Sequence, residues 1–211
     1  MQNYQYQPQY TNDDVEVESV TNLYQGFFKI NRYQLRHALF AGGQSDTVCR
    51  ELLERGDAVA VLPYDPWCNK LIFIEQFRVG ALASKNSPWL LEVVAGMIDK
   101  QESKELVAIR EAKEEAGLEI QKLIPMLNYL SSPGGTSERL YLYLGIVDSS
   151  AAGGIYGLEH EQEDIKVQVV DYNHGLELLE NGTLDNAASV ICMQWLALNK
   201  SKVDRELSQG K

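Results

Sequence analysis

The stretch GMIDKQESKELVAIREAKEEAGL, residues Gly96 to Leu118, crowds Glu111, Glu114 and Glu115 onto one segment. The spacing predicts a helix opening after Ser103, a good N-cap, and closing at Gly117, where a left-handed glycine belongs. At about 100° per residue, Ala108, Ile109, Ala112 and Ala116 share one face and the three glutamates project from another. Like charges three or four apart repel by roughly 0.2–0.5 kcal/mol per pair, so something outside the helix calls for them. A solvated acidic face, relieved by Arg110 and Lys113, is the ordinary reading of such a run. The surroundings argue otherwise. Gly96 precedes Glu102 by six positions and Arg110 stands directly before Glu111, so the segment fits Gx5Ex7RExxEExG followed by an aliphatic residue.

The rest of the composition bounds what such a helix can serve. With 211 residues, 45% hydrophobic and 23% charged, the chain has globular composition and can bury one sizeable core, or one domain with a smaller appendage. A formal charge of −11, with no Lys/Arg-rich run, argues against nucleic acid and anionic membranes as partners. An anionic substrate facing an acidic helix would need local neutralisation, most simply by divalent cations. No apolar run approaches the roughly eighteen residues of a membrane span, and MQNYQYQPQYTNDD has neither a basic start nor an apolar core of a leader. Cys49, Cys68 and Cys192 are widely spaced without a CxxC pair, which points to neither disulfides nor zinc. The expectation is a soluble, cytoplasmic protein.

Along the chain, residues 1–14 are rich in Gln, Tyr and Asn and are expected to be flexible. VEVESV through GFFKINRYQLRHALF predicts two strands, with a change of parity near Asn31 that suggests a bulge. TVCRELLERG suits either a strand or a short helix. DAVAVLPY and LIFIEQFRV form a hairpin around DPWCNK, and WLLEVVAG is a further strand leading into the opening stretch. IQKLIPMLNYL and RLYLYLGIV are strands flanking the loop SSPGGTSE. The long polar segment DSSAAGGIYGLEHEQED reads as a loop whose length calls for a function. IKVQVV returns to strand, and two helices around HGLELLEN and NAASVICMQWLALNK close the fold. Elements mix without a regular βαβ repeat, which gives an α+β fold. The boundaries expected are a flexible segment 1–14, an N-terminal sheet 15–55, a main domain 56–199 and a polar tail 200–211.

The Gly96–Leu118 pattern matches the Nudix box at every defined position, and the chain resembles the Nudix hydrolases, which cleave a nucleoside diphosphate linked to another moiety. The resemblance implies a Nudix α/β/α sandwich, here with an N-terminal antiparallel β-sheet domain. It makes Glu111, Glu115 and the Ala95 carbonyl ligands of Mg²⁺, with Mn²⁺ as a possible substitute, and Glu114 either a ligand or a support to the ligands. Arg110 and Glu102 would orient them. The chemistry agrees, because Mg²⁺ is a hard cation that takes oxygen ligands, and it would neutralise a diphosphate and activate water.

From about Leu23 to Leu198 the chain is similar to the ADP-ribose pyrophosphatase subgroup. SSPGGTSE, some fifteen residues after the box, together with LIFIEQFR, GLEHEQEDI and NAASV, carries that resemblance. It implies a homodimer that exchanges N-terminal sheets and shares a pocket for a nucleoside diphosphate sugar. Phe27, Phe28, Arg50, Glu51, Arg55 and Arg78 would line the pocket with Met97, Ser132, Pro133, Gly134 and Glu138. Adenine would stack on Phe27 or Phe28, and the arginines are suited to bidentate phosphate contacts. In the long loop, the resemblance points to Glu161 as general base and Glu163 as a further metal ligand. His160 is read as a neighbour, since magnesium prefers oxygen. The activity implied is hydrolysis of ADP-ribose to AMP and ribose 5-phosphate. The alternatives are another sugar nucleotide such as GDP-mannose, or a binding module that does not cleave. Intact Glu111, Glu114 and Glu115 argue against the last.

Overall fold

A 3-10 turn, Asn12–Asp14, capped by Thr11, leads into the first strand. The computed structural model describes residues 6–84, 86–98 and 101–209, the side chain of Glu161 excepted. Where flexibility was expected, the Tyr10 hydroxyl donates to the Leu39 carbonyl at 2.8 Å and its ring lies 5.2 Å from that of Phe40. An aromatic anchor and a reciprocal cap thus order this end of the segment; residues 1–5 lie outside the described residues.

The chain divides into two units, the first made of residues 1–55 and 132–138, the second of 56–131 and 139–211. In the first unit β1 (Val15–Gln25), β2 (Lys29–His37) and β3 (Val48–Glu54) form an antiparallel sheet in that order. The segment that suited strand or helix is therefore a strand, paired to β2 from Lys29 opposite Glu54 to Leu35 opposite Val48. A ready partner ladder decides what local periodicity leaves open. The irregularity expected near Asn31 sits on the opposite strand, where the register shifts between Asn22 and Tyr24 beside the Asn22–Asn31 pair. Residues 132–138 join this unit by hydrogen bonds from Leu53 N–H to the Gly135 carbonyl, 2.9 Å, and from the Thr136 hydroxyl to the Leu53 carbonyl, 2.9 Å.

The second unit is an α/β/α sandwich. Its mixed sheet holds β4 (Ala58–Asp65), β5 (Lys70–Phe77), β6 (Trp89–Glu92) and β7 (Val94–Met97) before the first helix, α1 (Lys104–Ala116). After the helix come β8 (Lys122–Leu130), β9 (Arg139–Ile146), β10 (Gly154–Tyr156) and β11 (Ile165–Asp171), then α2 (Tyr172–Glu180) and α3 (Ala187–Gln209). The order is β10-β11-β5-β4-β9-β8, with β6 on β5 and β7 on β4. All of β4 is buried, because its two faces meet different layers. Val59 and Val61 pack with Val107, Ala108, Ala112 and Ala116 of α1, while Ala60, Leu62 and Tyr64 pack with Cys192, Met193 and Leu196 of α3.

Three expectations change here. WLLEVVAG is two strands, broken at Val93, with separate partners. The long loop contains β10 and a 3-10 turn, Glu159–Glu161. The polar stretch after residue 199 continues α3 to Gln209, and Val203, 2% exposed, holds it to the core.

Candidate active site

The carboxylates of α1 lie against the backbone of β7. Helix ends behave as their residues require: the Ser103 side chain accepts from Leu106 N–H, and Gly117, at φ 66°, closes the last turn on Ala112 and Lys113. Glu115, 4% exposed, accepts a hydrogen bond from the Ala95 amide at 3.0 Å. Glu111 occupies space that only a glycine leaves open, since a Cβ on Gly96 would stand 2.0 Å from Glu111 Oε1. The first glycine of the pattern is thus a steric requirement of the first carboxylate.

Arg110 holds the outer group together. It reaches Glu114 at 2.8 Å, Glu111 at 3.0 Å and Glu102 at 3.2 Å. Burial disfavours its charge, and these three carboxylates more than reverse that, so its pKa rises. Glu111 is pushed up to about 7, by burial first, against the pull of Arg110 and with the help of Glu114 and Glu163. Glu115 is pushed up to about 8 by burial, with Glu111 and Glu163 raising it further and the Ala95 amide and Arg78 opposing. Glu163 is therefore within electrostatic reach of both; its own carboxylate accepts from Leu158 N–H at 3.1 Å.

Glu115, buried, and Glu111, half-buried beside it, offer carboxyl oxygens that repel one another, which suits a hard divalent cation whose charge would relieve what raises the pKa of both. Among the described residues no three His, Cys, Asp or Glu side chains yet gather at ligand spacing. Glu111 is engaged by Arg110 and Glu115 by the Ala95 amide. Glu111, Glu115 and Glu163 would hold the ion. The side chain of Glu161 lies outside the described residues.

A family model for the NUDIX domain matches residues 54–188. The chain belongs to the Nudix family. Among its relatives, an ADP-ribose pyrophosphatase of Escherichia coli (strain K12) is 48% identical over 194 residues, 92% of this chain and 93% of that protein. One from Haemophilus influenzae is 46% identical over 199 residues, 93% and 92% of the two chains. A GDP-mannose pyrophosphatase of Escherichia coli (strain UTI89 / UPEC) is 29% identical over 155 residues, 71% and 78%. A solved structure of an ADP compounds hydrolase superposes with a TM-score of 0.69 at 21% identity, over 90% of this chain and 96% of that one, and shows the same fold.

The other expected residues of this Nudix chain fall in both units. In the second unit Met97 ends β7, 39% exposed, and Arg78, just past β5, pairs with Glu92 at 2.8 Å. The first unit brings together residues from two distant stretches. Arg55 lies 3.1 Å from Glu138 and stacks over the Phe28 ring at 5.4 Å, and Phe28 meets Phe27 edge-on. Phe27 is 86% exposed, so core packing does not explain it. Ser132, Pro133 and Gly134 form an exposed turn closed by Gly135 and Thr136 amides on the Ser132 carbonyl. Glu51 pairs with Arg32 at 3.1 Å, and Arg50 donates to its neighbour's carbonyl, Cys49. Sequence reasoning missed Glu92, which accepts from Arg78, and Asn186, which donates to Glu92. The signal for Glu92 was a glutamate inside the apolar run WLLEVVAG.

Proposed function

We propose that this Nudix enzyme hydrolyses the diphosphate of ADP-ribose to AMP and ribose 5-phosphate. The observation that carries the reading is the pair of buried Glu115 and half-buried Glu111, set against β7 with raised pKa values, in a chain resembling ADP-ribose pyrophosphatases over most of its length. Mg²⁺, or Mn²⁺ in its place, would be held by Glu111, Glu115 and Glu163, with the Ala95 carbonyl and Glu114 as further candidates. Such an ion supplies charge neutralisation at the diphosphate and a lower pKa for bound water.

The remaining work belongs to the chain. A water oxygen attacks one phosphorus, the bridging P–O bond breaks, and the leaving phosphate carries away the bond's electrons. Glu161 takes the water proton. Glu102 and Arg110 keep the carboxylates aligned, and such supports commonly matter by about 10–100-fold. Arg78 binds phosphate. Phe27 and Phe28 offer stacking faces for adenine, and Arg50, Glu51, Arg55, Met97, Ser132, Pro133, Gly134 and Glu138 complete recognition of the nucleotide sugar. Two copies pair through their N-terminal sheets, and the enzyme works in the cytoplasm, consistent with three free cysteines.

The test is one panel: ADP-ribose, GDP-mannose, other sugar nucleotides, NADH and dNTPs with Mg²⁺, reading AMP or phosphate release. ADP-ribose is expected to give the highest kcat/KM. A preference for GDP-mannose would replace the substrate, and tight ADP-ribose binding without turnover would make the chain a sensor.

A further inference from the structure

Glu92 is a carboxylate where the sheet would accept an aliphatic residue. It stands directly opposite Ile74 in the β5–β6 ladder, and opposed residues share a face of the sheet. Ile74 packs in the cluster under α1, so Glu92 lies on the same face as the Nudix helix. Its side chain is 9% exposed, yet both oxygens are engaged. Oε2 accepts from Arg78 Nε at 2.8 Å, and Oε1 accepts from the Asn186 amide at 2.6 Å. Asn186 is fixed in turn, because its own oxygen caps the first turn of α3 by accepting from Ser189 N–H at 2.8 Å. The fully buried Ser189 hydroxyl then accepts from Val93 N–H at 3.0 Å, which returns the network to the strand break beside Glu92.

We infer that Glu92, clamped by Asn186, is a positioning residue that aims Arg78 at the diphosphate. This rests on the diphosphatase reading and deepens it. The asymmetry of the pair is the first argument: the Glu92 side chain is buried while that of Arg78 is 44% exposed. A partly exposed ion pair contributes little stability, and burying one carboxylate is costly, so stability alone does not account for it. Geometry is the second. Glu92 takes Nε, and among the described residues no acceptor holds the two terminal nitrogens, the edge that binds phosphate in bidentate fashion. Position is the third. Glu92, opposite Ile74, stands on the sheet face that carries the Nudix helix, so it holds the guanidinium at the edge of that same face.

The experiment compares wild type, Glu92→Gln, Arg78→Ala, the double variant and Asn186→Ala. It reads KM and kcat for ADP-ribose with Mg²⁺, ADP-ribose affinity by calorimetry in EDTA, and melting temperature. Glu92→Gln is expected to raise KM and weaken binding about 10–100-fold, the range for losing a charge-assisted hydrogen bond, with the melting temperature nearly unchanged. The double variant should be no worse than Arg78→Ala, because Glu92 acts only through the arginine. Asn186→Ala, which spares the ion pair, should show a smaller loss that also disappears in the Arg78→Ala background; it decides the matter if Glu92→Gln does not fold. Additive losses, or unchanged KM and affinity in a folded Glu92→Gln or Asn186→Ala, would overturn the inference. A wild type that neither binds nor cleaves ADP-ribose would instead defeat the substrate reading on which it stands.

Discussion

Strands β1 and β4 both carry valines two apart, Val15 and Val17 in one and Val59 and Val61 in the other, but they live in different circumstances. Every residue of β4 is buried, whereas in β1 only Ser19 is even partly covered. Among the described residues the first unit contains no buried hydrophobic side chain, and Val15, Val17, Val20, Leu23 and Tyr24 all stand exposed. Burying a Val or Leu side chain contributes about 1.5–3 kcal/mol, so the first sheet forgoes what the second collects many times over. The second unit can hold carboxylates against a backbone because its core fixes helix and strand. The first is a surface that gains by being covered, which is the physical motive for proposing that two copies pair there.

The largest expected effect breaks chemistry in the core-bearing unit while sparing its fold. Glu115→Gln should lower AMP release from ADP-ribose by about 10³-fold or more, because an amide is a much poorer ligand for a hard cation. The metal-free melting temperature should not fall, since a buried amide costs less than a buried carboxylate. Near-normal turnover at saturating Mg²⁺ would end the ligand assignment.

Next come the two loop glutamates. Glu161→Gln should lower kcat about 10²–10⁴-fold with metal affinity little changed, as for loss of a general base. Glu163→Gln should weaken metal binding, and raised Mg²⁺ should restore part of its rate. Titrating Mg²⁺ against AMP release for both variants decides; the opposite pattern of rescue would exchange the roles.

What the sequence discloses about these regions follows from the range of the forces involved. The helix was legible to the residue because Ser103 and Gly117 act within one turn. The carboxylates were legible as a pattern, but not the reason for Gly96, which is a contact with Glu111 fifteen positions on. Strand β3 was not legible, since its ladder to β2 and its bonds to residues 135–137 decide it from outside. The length of α3 was hidden because Val203 and, four positions on, Leu207 mark its inward face amid polar neighbours. The Glu92–Asn186 pair joins residues 94 positions apart, and no local rule reports it.

Hydrogen exchange tests the contrast between the sheets directly. Amides of β4 and β9 should exchange only through global unfolding, while those of β1 and β2 should open at much lower free energy. If copies pair through the first sheet, dilution should speed exchange in β1–β3 and leave β4 unchanged. Deleting residues 1–45 should then abolish the dimer seen by light scattering. Equal protection of both sheets at every concentration, in a monomer with full activity, would remove the basis of the comparison.

The smallest effect sharpens the comparison from within the second unit. Asp65, 1% exposed at the end of β4, accepts hydrogen bonds from the Ser149 hydroxyl at 2.7 Å, the Ser149 and Trp67 amides at 2.9 Å and the Cys68 amide at 3.0 Å. Burial alone would raise its pKa; the bonds from Ser149, Cys68 and Trp67 outweigh it and hold the carboxyl below its ordinary value. A carboxyl with a depressed folded pKa contributes stability above its unfolded pKa, and loses it as pH falls through the folded one. Asp65→Asn removes the charge and mismatches at least one donor, at a cost of about 1–3 kcal/mol near pH 7. Denaturant melts should show that difference from wild type constant down to about pH 4 and shrinking below it, where wild-type Asp65 also protonates. Exchange in β1 and β2 should not change, because their opening does not draw on this core. A variant that loosened both sheets equally, or whose deficit grew at low pH, would show that Asp65 does not anchor the second unit in the way its hydrogen bonds imply.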